Sequence, residues 1–203
     1  MEGFQKINLL DVLKDTDETL VKKALENFSC PPNADVEDFI RNKAITFSLQ
    51  RLASVWLILA SYRNEWVNVG YFALAQKYTH IKLKNLSSKL RQRLRKFVMF
   101  DKEIDKYLLT APLIGQLGKN FTNSYNEFIT GDELLKIACD TVADGQRIFG
   151  GRVVYLECED VPALVKFYEK NGFVQFGQRF PEGEEQYKLK NHSLIQLLKY
   201  LDV

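Results

Sequence analysis

The segment Ala163–Phe173, which reads ALVKFYEKNGF, combines an amphipathic helix pattern with its own stop signal. Asp160 is typical of a helix N-cap, and Pro162 stands in the first turn, where a missing N–H is tolerated. Asn171 and Gly172 are typical of a left-handed C-cap. The apolar run RVVYLEC precedes this helix and another strand pattern follows it. The segment therefore predicts a strand–helix–strand unit.

Hydrophobic periodicity predicts further elements on both sides of this unit. Helices are predicted at Asp15–Asn27, Val36–Gln50, Asn85–Phe97 and Gly131–Gln146. Strands are predicted from Val55 and from Trp66, as a hairpin, and over Tyr107–Lys119, Phe173–Phe180 and Leu194–Leu201. A parallel crossover combined with antiparallel outer strands gives a mixed sheet. The sequence thus predicts a single α/β domain over residues 1–203, with a mixed, mostly antiparallel central sheet and helices on both faces.

Composition and cysteine spacing exclude several classes of protein. The 28 basic and 26 acidic residues leave a net charge of +2, which argues against a protein that coats nucleic acid. Cys30, Cys139 and Cys158 lack metal-binding spacing, and with only His80 and His192 beside them we expect no metal site. No run reaches the roughly 20 apolar residues of a membrane span, and no export signal is apparent. We expect a cytoplasmic protein without a membrane partner.

The pattern F-Y-x-x-x-G-F at Phe167–Phe173 resembles the C-terminal helix and turn of the GNAT (GCN5-related) N-acetyltransferase family. The helix that begins GDELL at Gly131 resembles the cofactor helix of that family. The segments Phe28–Cys30, Asp38–Ile40 and Val69–Leu74 are similar to the toxin-related branch. The resemblance, which covers the chain from about Val55 to its end, implies an enzyme that transfers an acetyl group from acetyl-CoA to a primary amine by direct attack in a ternary complex.

The resemblance also implies which residues bind acetyl-CoA. A diphosphate favours backbone N–H groups at a helix start, and pantetheine amides pair with a strand edge. Gly118 inside a strand pattern suggests a bulge that opens a slot for the pantetheine. The family's phosphate loop usually reads Q/R-x-x-G-x-G/A, and here only its final glycine is present. The predicted cofactor-binding residues are Leu117, Gly118, Lys119, Asn126, Ile129, Thr130, Gly131 and Asp132.

Two residues are predicted to carry the chemistry. Tyr168 matches the family's tyrosine that returns a proton to the leaving thiolate, although an aromatic residue on a helix can equally serve the core. Glu157, and less readily Glu159, could remove a proton from the amine, or could simply be exposed at a strand end. Cys158 is expected to be a small buried hydrophobic residue, not a nucleophile.

Three functions stay open at this stage. The main prediction is an N-acetyltransferase whose acceptor is an amine-bearing small molecule or a protein. The first alternative is a toxin-like enzyme that acetylates aminoacyl-tRNA, supported by the acid-free basic run Lys82–Lys96 but opposed by the near-neutral net charge. The second is a non-catalytic CoA-binding module. The final strand could also pair between two copies in a homodimer.

Overall fold

A computed structural model describes residues 3–180 and 193–201 of the chain. Within these ranges eight strands are found. They are β1 (Phe4–Asn8), β2 (Ser54–Tyr62), β3 (Glu65–Ile81), β4 (Val98–Asp101), β5 (Lys106–Lys119), β6 (Val153–Glu159), β7 (Val174–Arg179) and β8 (Leu194–Tyr200). The α-helices are α1 (Leu9–Asp15), α2 (Glu18–Glu26), α3 (Ala34–Asp38), α4 (Ala44–Leu49), α5 (Ser88–Leu94), α6 (Gly131–Phe149) and α7 (Pro162–Lys170).

The strands form one mostly antiparallel sheet in the order β1-β2-β3-β5-β6-β8-β7, and β4 pairs with β5. The fold class predicted from the sequence is therefore confirmed. No helix in the described part of the chain is long and apolar enough to cross a membrane.

The described residues group into two compact units. Unit 1 contains the residues up to Ala75 together with Ile114–Ala138. Unit 2 contains Gln76–Leu113 and the residues from Cys139 onward.

Unit 1 is built around the β2–β3 hairpin and the helices α1 to α4. Arg63 and Asn64 at the hairpin turn have φ of 51° and 65°, which is the backbone that a tight two-residue hairpin turn requires. Tyr71 of β3 is fully buried, and its hydroxyl donates to the carbonyl of Val36 at 2.6 Å. The ring of Phe28 packs edge-on against Tyr71 with centroids 5.2 Å apart. These contacts connect α3 to the sheet.

The N-terminal half of unit 1 differs from the sequence prediction in three places. Phe4–Asn8 forms β1, which pairs with β2, and Leu9–Asp15 forms α1; neither was predicted. The helix expected at Val36–Gln50 is interrupted by a wider helical turn at Phe39–Lys43, where the N–H of Ala44 donates to the carbonyl of Phe39. The helix expected from Asp15 begins at Glu18 because the Asp17 carboxylate accepts from the N–H of Thr19 at 2.8 Å.

Unit 2 contains β6, β8 and β7 with α7, and also α5 and β4. The predicted stop of α7 is correct, since Gly172 has φ of 82°. The predicted N-cap is wrong, because Val161 occupies that position and makes no side-chain cap, so that Pro162 follows it directly. Helix α5 is shorter than expected. Its start is set by Ser87, whose hydroxyl accepts from the N–H of Leu90.

Replacing Gly118 by alanine should destabilise unit 1 because a Cβ at this position would lie 2.3 Å from Cγ1 of Val36. Forcing an extra carbon into a packed site costs about 1–3 kcal/mol. Urea unfolding of Gly118→Ala should therefore show a lowered midpoint. The matched experiment repeats the change in a Val36→Ala background, where the smaller partner leaves room. An equal cost in both backgrounds would exclude this steric contact as the cause.

Candidate functional site

The start of α6 is closed by a reciprocal capping arrangement. The hydroxyl oxygen of Thr130 accepts from the N–H of Glu133 at 3.1 Å. In return, one Glu133 carboxylate oxygen accepts from the backbone N–H and the hydroxyl of Thr130 at 2.8 and 2.7 Å. These hydrogen bonds lower the pKa of Glu133, the backbone one having the larger effect. Glu133 was not among the predicted site residues, although the local pattern T-x-x-E carries this signal.

The loop that leads into α6 is held by Asn120, a buried residue that the sequence analysis did not single out. Its side-chain oxygen accepts from the N–H groups of Ser29 and Thr122, both at 3.1 Å. Its amide donates to the carbonyl of Asn68 at 2.8 Å. Asn120 therefore fixes the point where the chain leaves β5 within unit 1.

The predicted residues Lys119 and Asn126 meet in this loop. The Lys119 ammonium donates to the Asn126 carbonyl at 3.0 Å, which places a positive charge against the loop. The Tyr62 ring lies 5.1 Å from that of Phe128 between centroids, and Ile129 is buried. The segment 122–128 forms short helical turns with Asn123 and its neighbour in the left-handed region. The loop is thus ordered by polar and aromatic contacts.

Gly118 lies under α3, and this packing explains why the position is a glycine. The side chain of Val36 occupies the space that a Cβ would take. Beside it, the Gln116 amide donates to the Asp35 carboxylate at 2.9 Å. Leu117, Gly118 and Lys119 form the end of β5, as predicted, while the bulge and the pantetheine slot stay predictions.

The donor set of unit 1 fits the diphosphate of an acyl-CoA. A helix of 19 residues begins at Gly131, and the first N–H groups of a helix have no partner within the helix itself. Lys119 adds a full positive charge at the loop. The carboxylates of Asp132 and Glu133 in the first turn oppose an incoming anion, so Lys119 is the main attractive charge found here.

Tyr168 lies in unit 2, on α7, and is 8% exposed. Its ring packs against Phe167 and Phe173, with centroids 5.0 and 5.9 Å away. Burial raises the pKa of its hydroxyl well above the ordinary value, and the nearby Cys158 adds to this increase. The hydroxyl therefore keeps its proton at neutral pH.

Cys158 is also buried, and burial raises its pKa to about 12, with Asp160 and Glu159 contributing. A thiol with this pKa is a poor nucleophile at neutral pH. The structure agrees with the expectation that Cys158 is a buried hydrophobic residue.

Glu157 is engaged by two neighbours in unit 2. One of its oxygens accepts from the Arg179 guanidinium at 2.6 Å, and the other accepts from the Gln196 amide at 2.8 Å. The Gln196 amide also donates to the hydroxyl of Thr79 at 3.2 Å. Glu157 thus belongs to a connected polar network across β3, β6, β7 and β8 that the sequence did not predict.

Within the described residues no group of three metal-ligating side chains is present.

Replacing Glu133 by Gln should remove a pH-dependent part of stability. Because the folded-state pKa of Glu133 is lowered, its contribution is present above the unfolded-state pKa of about 4.3 and is lost as the pH falls through the folded-state value. Because Gln keeps a neutral capping hydrogen bond, the variant loses only the charge-dependent part of this interaction, roughly 0.3–1 kcal/mol. Denaturant unfolding near neutral and acidic pH measures it. Glu26→Gln, at the exposed end of α2, is the matched control. Identical pH profiles for the two variants would contradict the role of Glu133.

Comparison with known proteins was made on sequence and on structure. No protein-family model and no curated protein sequence matches the chain. AtaT complexed with acetyl-methionyl-tRNAfMet is 15% identical, with a TM-score of 0.60 over 95% of this chain and 93% of that chain. AtaTR bound with AcCoA is 14% identical, with a TM-score of 0.54 over 96% and 93%.

A tyrosine-to-phenylalanine mutant of KacT is also similar, at 13% identity and a TM-score of 0.60 over 96% of this chain and 94% of that chain. AtaT and KacT are GNAT-fold toxin acetyltransferases. The motif at Phe167–Phe173 and the structure therefore agree, and the chain has the GNAT fold in the form found in these toxin structures.

Proposed function

We propose that this protein is an acetyltransferase that moves the acetyl group of acetyl-CoA to a primary amine. The observation that carries the proposal is the likeness over 96% of the chain to AtaTR bound with AcCoA, combined with a helix start whose donors suit a diphosphate.

In unit 1, the first turn of α6 and Lys119 would hold the diphosphate, and the backbone of Leu117–Lys119 would pair with the pantetheine amides. Acetyl-CoA supplies a thioester carbon that an amine can attack. The chain's own contribution is to orient this carbon and to manage two protons, one that leaves the amine and one that arrives at the sulfur.

Tyr168 is proposed as the group that delivers the proton to the leaving sulfur. Its raised pKa keeps the hydroxyl protonated across the physiological range, so the donor is always loaded. The same raised pKa makes the hydroxyl a weak acid, so transfer has to accompany cleavage of the carbon–sulfur bond and cannot precede it.

The acceptor amine is proposed to lose its protons to water without a dedicated base: one leaves the ammonium before attack, and one leaves the nitrogen after it has bonded to the carbonyl carbon. Both oxygens of Glu157 already accept hydrogen bonds, from Arg179 and Gln196, which supports a positioning role over the predicted role as general base. An α-amino group has a pKa of about 8 and a lysine about 10.4. A substantial fraction of α-amino groups is therefore neutral near pH 7.5, whereas lysines are almost fully protonated. The chemistry thus favours an α-amino acceptor.

Aminoacyl-tRNA is the α-amino acceptor that we propose. The likeness to AtaT complexed with acetyl-methionyl-tRNAfMet supports this choice, as does the basic run from Lys82 to Lys96. A free amine on a small molecule or protein is the second candidate, and it is the one to which the near-neutral net charge points. A non-catalytic CoA-binding module is the third.

Tyr168→Phe should lower the rate of acetyl transfer by roughly 10²–10⁴-fold, the usual contribution of a positioned acid, while acetyl-CoA affinity changes little. Single-turnover kinetics and calorimetry with acetyl-CoA measure the two quantities. Tyr155→Phe, which removes the hydroxyl of another buried tyrosine in unit 2, is the matched control. Since the lost hydroxyl also removes a buried polar group, thermal unfolding has to show an intact fold. An unchanged transfer rate would remove Tyr168 from the mechanism.

Aminoacyl-tRNA should become labelled when the protein is incubated with radiolabelled acetyl-CoA, while tRNA with a formylated α-amino group should not, because its nitrogen cannot attack. Lysine-containing peptides and small amines serve as competing acceptors. Preferential labelling of lysine side chains would overturn the α-amino proposal. Binding of acetyl-CoA without labelling of any acceptor would favour the non-catalytic module, and absence of binding would overturn both enzymatic proposals.

A further inference from the structure

The positive charge of this chain is concentrated in one segment. Residues 77–100 contain eight lysines and arginines and no aspartate or glutamate. Because the chain has 28 basic and 26 acidic residues, the remainder carries 20 basic against 26 acidic residues. The net charge of +2 thus conceals a basic segment within an otherwise acidic chain. Segregated charge of this kind creates a local potential that attracts polyanions.

Part of this basic segment is helix α5, which is packed on the core of unit 2. Leu94 on its inner side is fully buried. The Arg93 guanidinium lies 4.9 Å from the ring centre of Tyr200, and the ring of Phe97 meets Tyr200 at 6.2 Å between centroids. The basic side chains on the outer side are exposed, namely Lys89, Arg95 and Lys96.

A cleft of about 220 Å³ opens beside the end of α5, within unit 2. Phe97 contributes to its wall, and so does Phe149, which is 64% exposed at the end of α6. The adjacent Gly150 and Gly151 have φ of 86° and 103°, a backbone that glycine adopts readily and that carries the chain around the cleft. The polar lining consists of Gln76, Thr110, Gln146 and Arg152.

The side chain of Gln146 contributes a hydrogen-bond acceptor without a donor to this cleft. Its side chain is 4% exposed, and its amide nitrogen donates to the carbonyl of Val153 at 2.8 Å. Its side-chain oxygen is buried and accepts no hydrogen bond within the described residues. A buried acceptor without a partner is costly, so this position favours a ligand that brings an N–H donor.

We propose that this cleft and the outer side of α5 form a binding site for single-stranded RNA, with one unstacked base in the cleft. A volume of about 220 Å³ is large enough to hold one base. Every base offers a flat face to Phe97 or Phe149 and N–H groups for Gln146. The phosphates on either side of that base face the Lys89, Arg95 and Lys96 charges.

The proposal rests on the proposed function and deepens it, because it names a place where an RNA substrate is held. None of the cleft residues is among those predicted to bind acetyl-CoA or to carry out the transfer. Binding of RNA in the absence of acetyl-CoA can therefore be measured separately from acetylation, and the two proposals can fail independently.

The test is fluorescence anisotropy with a labelled single-stranded RNA oligomer, titrated at several salt concentrations without acetyl-CoA. Phe149→Ala should weaken binding about tenfold, as expected for loss of one stacking partner. Ile148→Ala is the matched control, since Ile148 is its neighbour, is 88% exposed and does not line the cleft. A substitution of an exposed side chain leaves the fold intact.

The second part of the test removes positive charges from the proposed RNA-binding surface. Neutralising one basic residue of α5 and the two that directly follow the helix should weaken binding and reduce the slope of log affinity against log salt by about two. The substitutions are Lys89→Gln, Arg95→Gln and Lys96→Gln. The control removes three exposed lysines from α1 and α2, by Lys14→Gln, Lys22→Gln and Lys23→Gln, and should leave the slope unchanged.

Four results would overturn the proposal. These are no RNA binding at low salt, equal affinity of the Phe149→Ala and Ile148→Ala variants, equal affinity for duplex RNA, and equally effective competition by polyglutamate. Displacement of the RNA by adenosine 3′,5′-bisphosphate, which is the nucleotide part of CoA, at matching occupancy would reassign the cleft to the cofactor. In the Phe149→Ala variant, a raised KM for aminoacyl-tRNA at unchanged kcat would support the RNA site, whereas an unchanged KM together with lost binding of the oligomer would show that the cleft does not hold the substrate RNA.

Discussion

The candidate cofactor region depends on one contact, in which the side chain of Val36 occupies the space beside Gly118. A residue with a Cβ would force Val36 to move, and glycine lets α3 pack directly on the backbone of β5. The carbonyl of Val36 accepts from the Tyr71 hydroxyl, and Asn33 caps α3 by accepting from two backbone N–H groups. A helix of five residues is too short to be stable alone, so these contacts define its position. Because α3 packs on Gly118, the same contacts also position the end of β5.

Beyond that point the chain is organised by polar side chains that satisfy backbone groups. Asn120 fixes the exit from β5, Lys119 contacts the loop, and the Thr130–Glu133 pair closes the start of α6. A helix start of this kind has to balance two demands. The carboxylate of Glu133 stabilises the helix, whereas an incoming diphosphate would compete with it for the same positive end. We therefore propose that the Lys119 ammonium supplies most of the attraction for the diphosphate of acetyl-CoA.

In unit 2, burial raises the pKa values of two potentially reactive side chains, Tyr168 and Cys158. Tyr168 and Cys158 are both kept protonated by their apolar surroundings, which suits a proton donor and disables a nucleophile. Glu157 is already engaged by Arg179 and Gln196, and this arrangement favours an acceptor that needs little help to lose its proton. The concentration of positive charge around α5 favours the same acceptor class, since an aminoacyl-tRNA offers both an α-amino group and a polyanion. Two independent features of the chain thus support the substrate that we propose.

Local patterns were sufficient to predict the β2–β3 hairpin, β5, α6 and α7, because caps, turn residues and hydrophobic periodicity act over a few neighbouring residues. They failed for β1 and α1, which are short and half-exposed, and for the wider helical turn at Phe39–Lys43. The network around Glu157 joins residues 22 and 39 positions apart, and the Ser29–Asn120 hydrogen bond spans 91. No local signal encodes such pairs. The amino-acid order therefore determines the elements and their ends, whereas packing decides which polar groups meet, because their partners come together only when the sheet has formed.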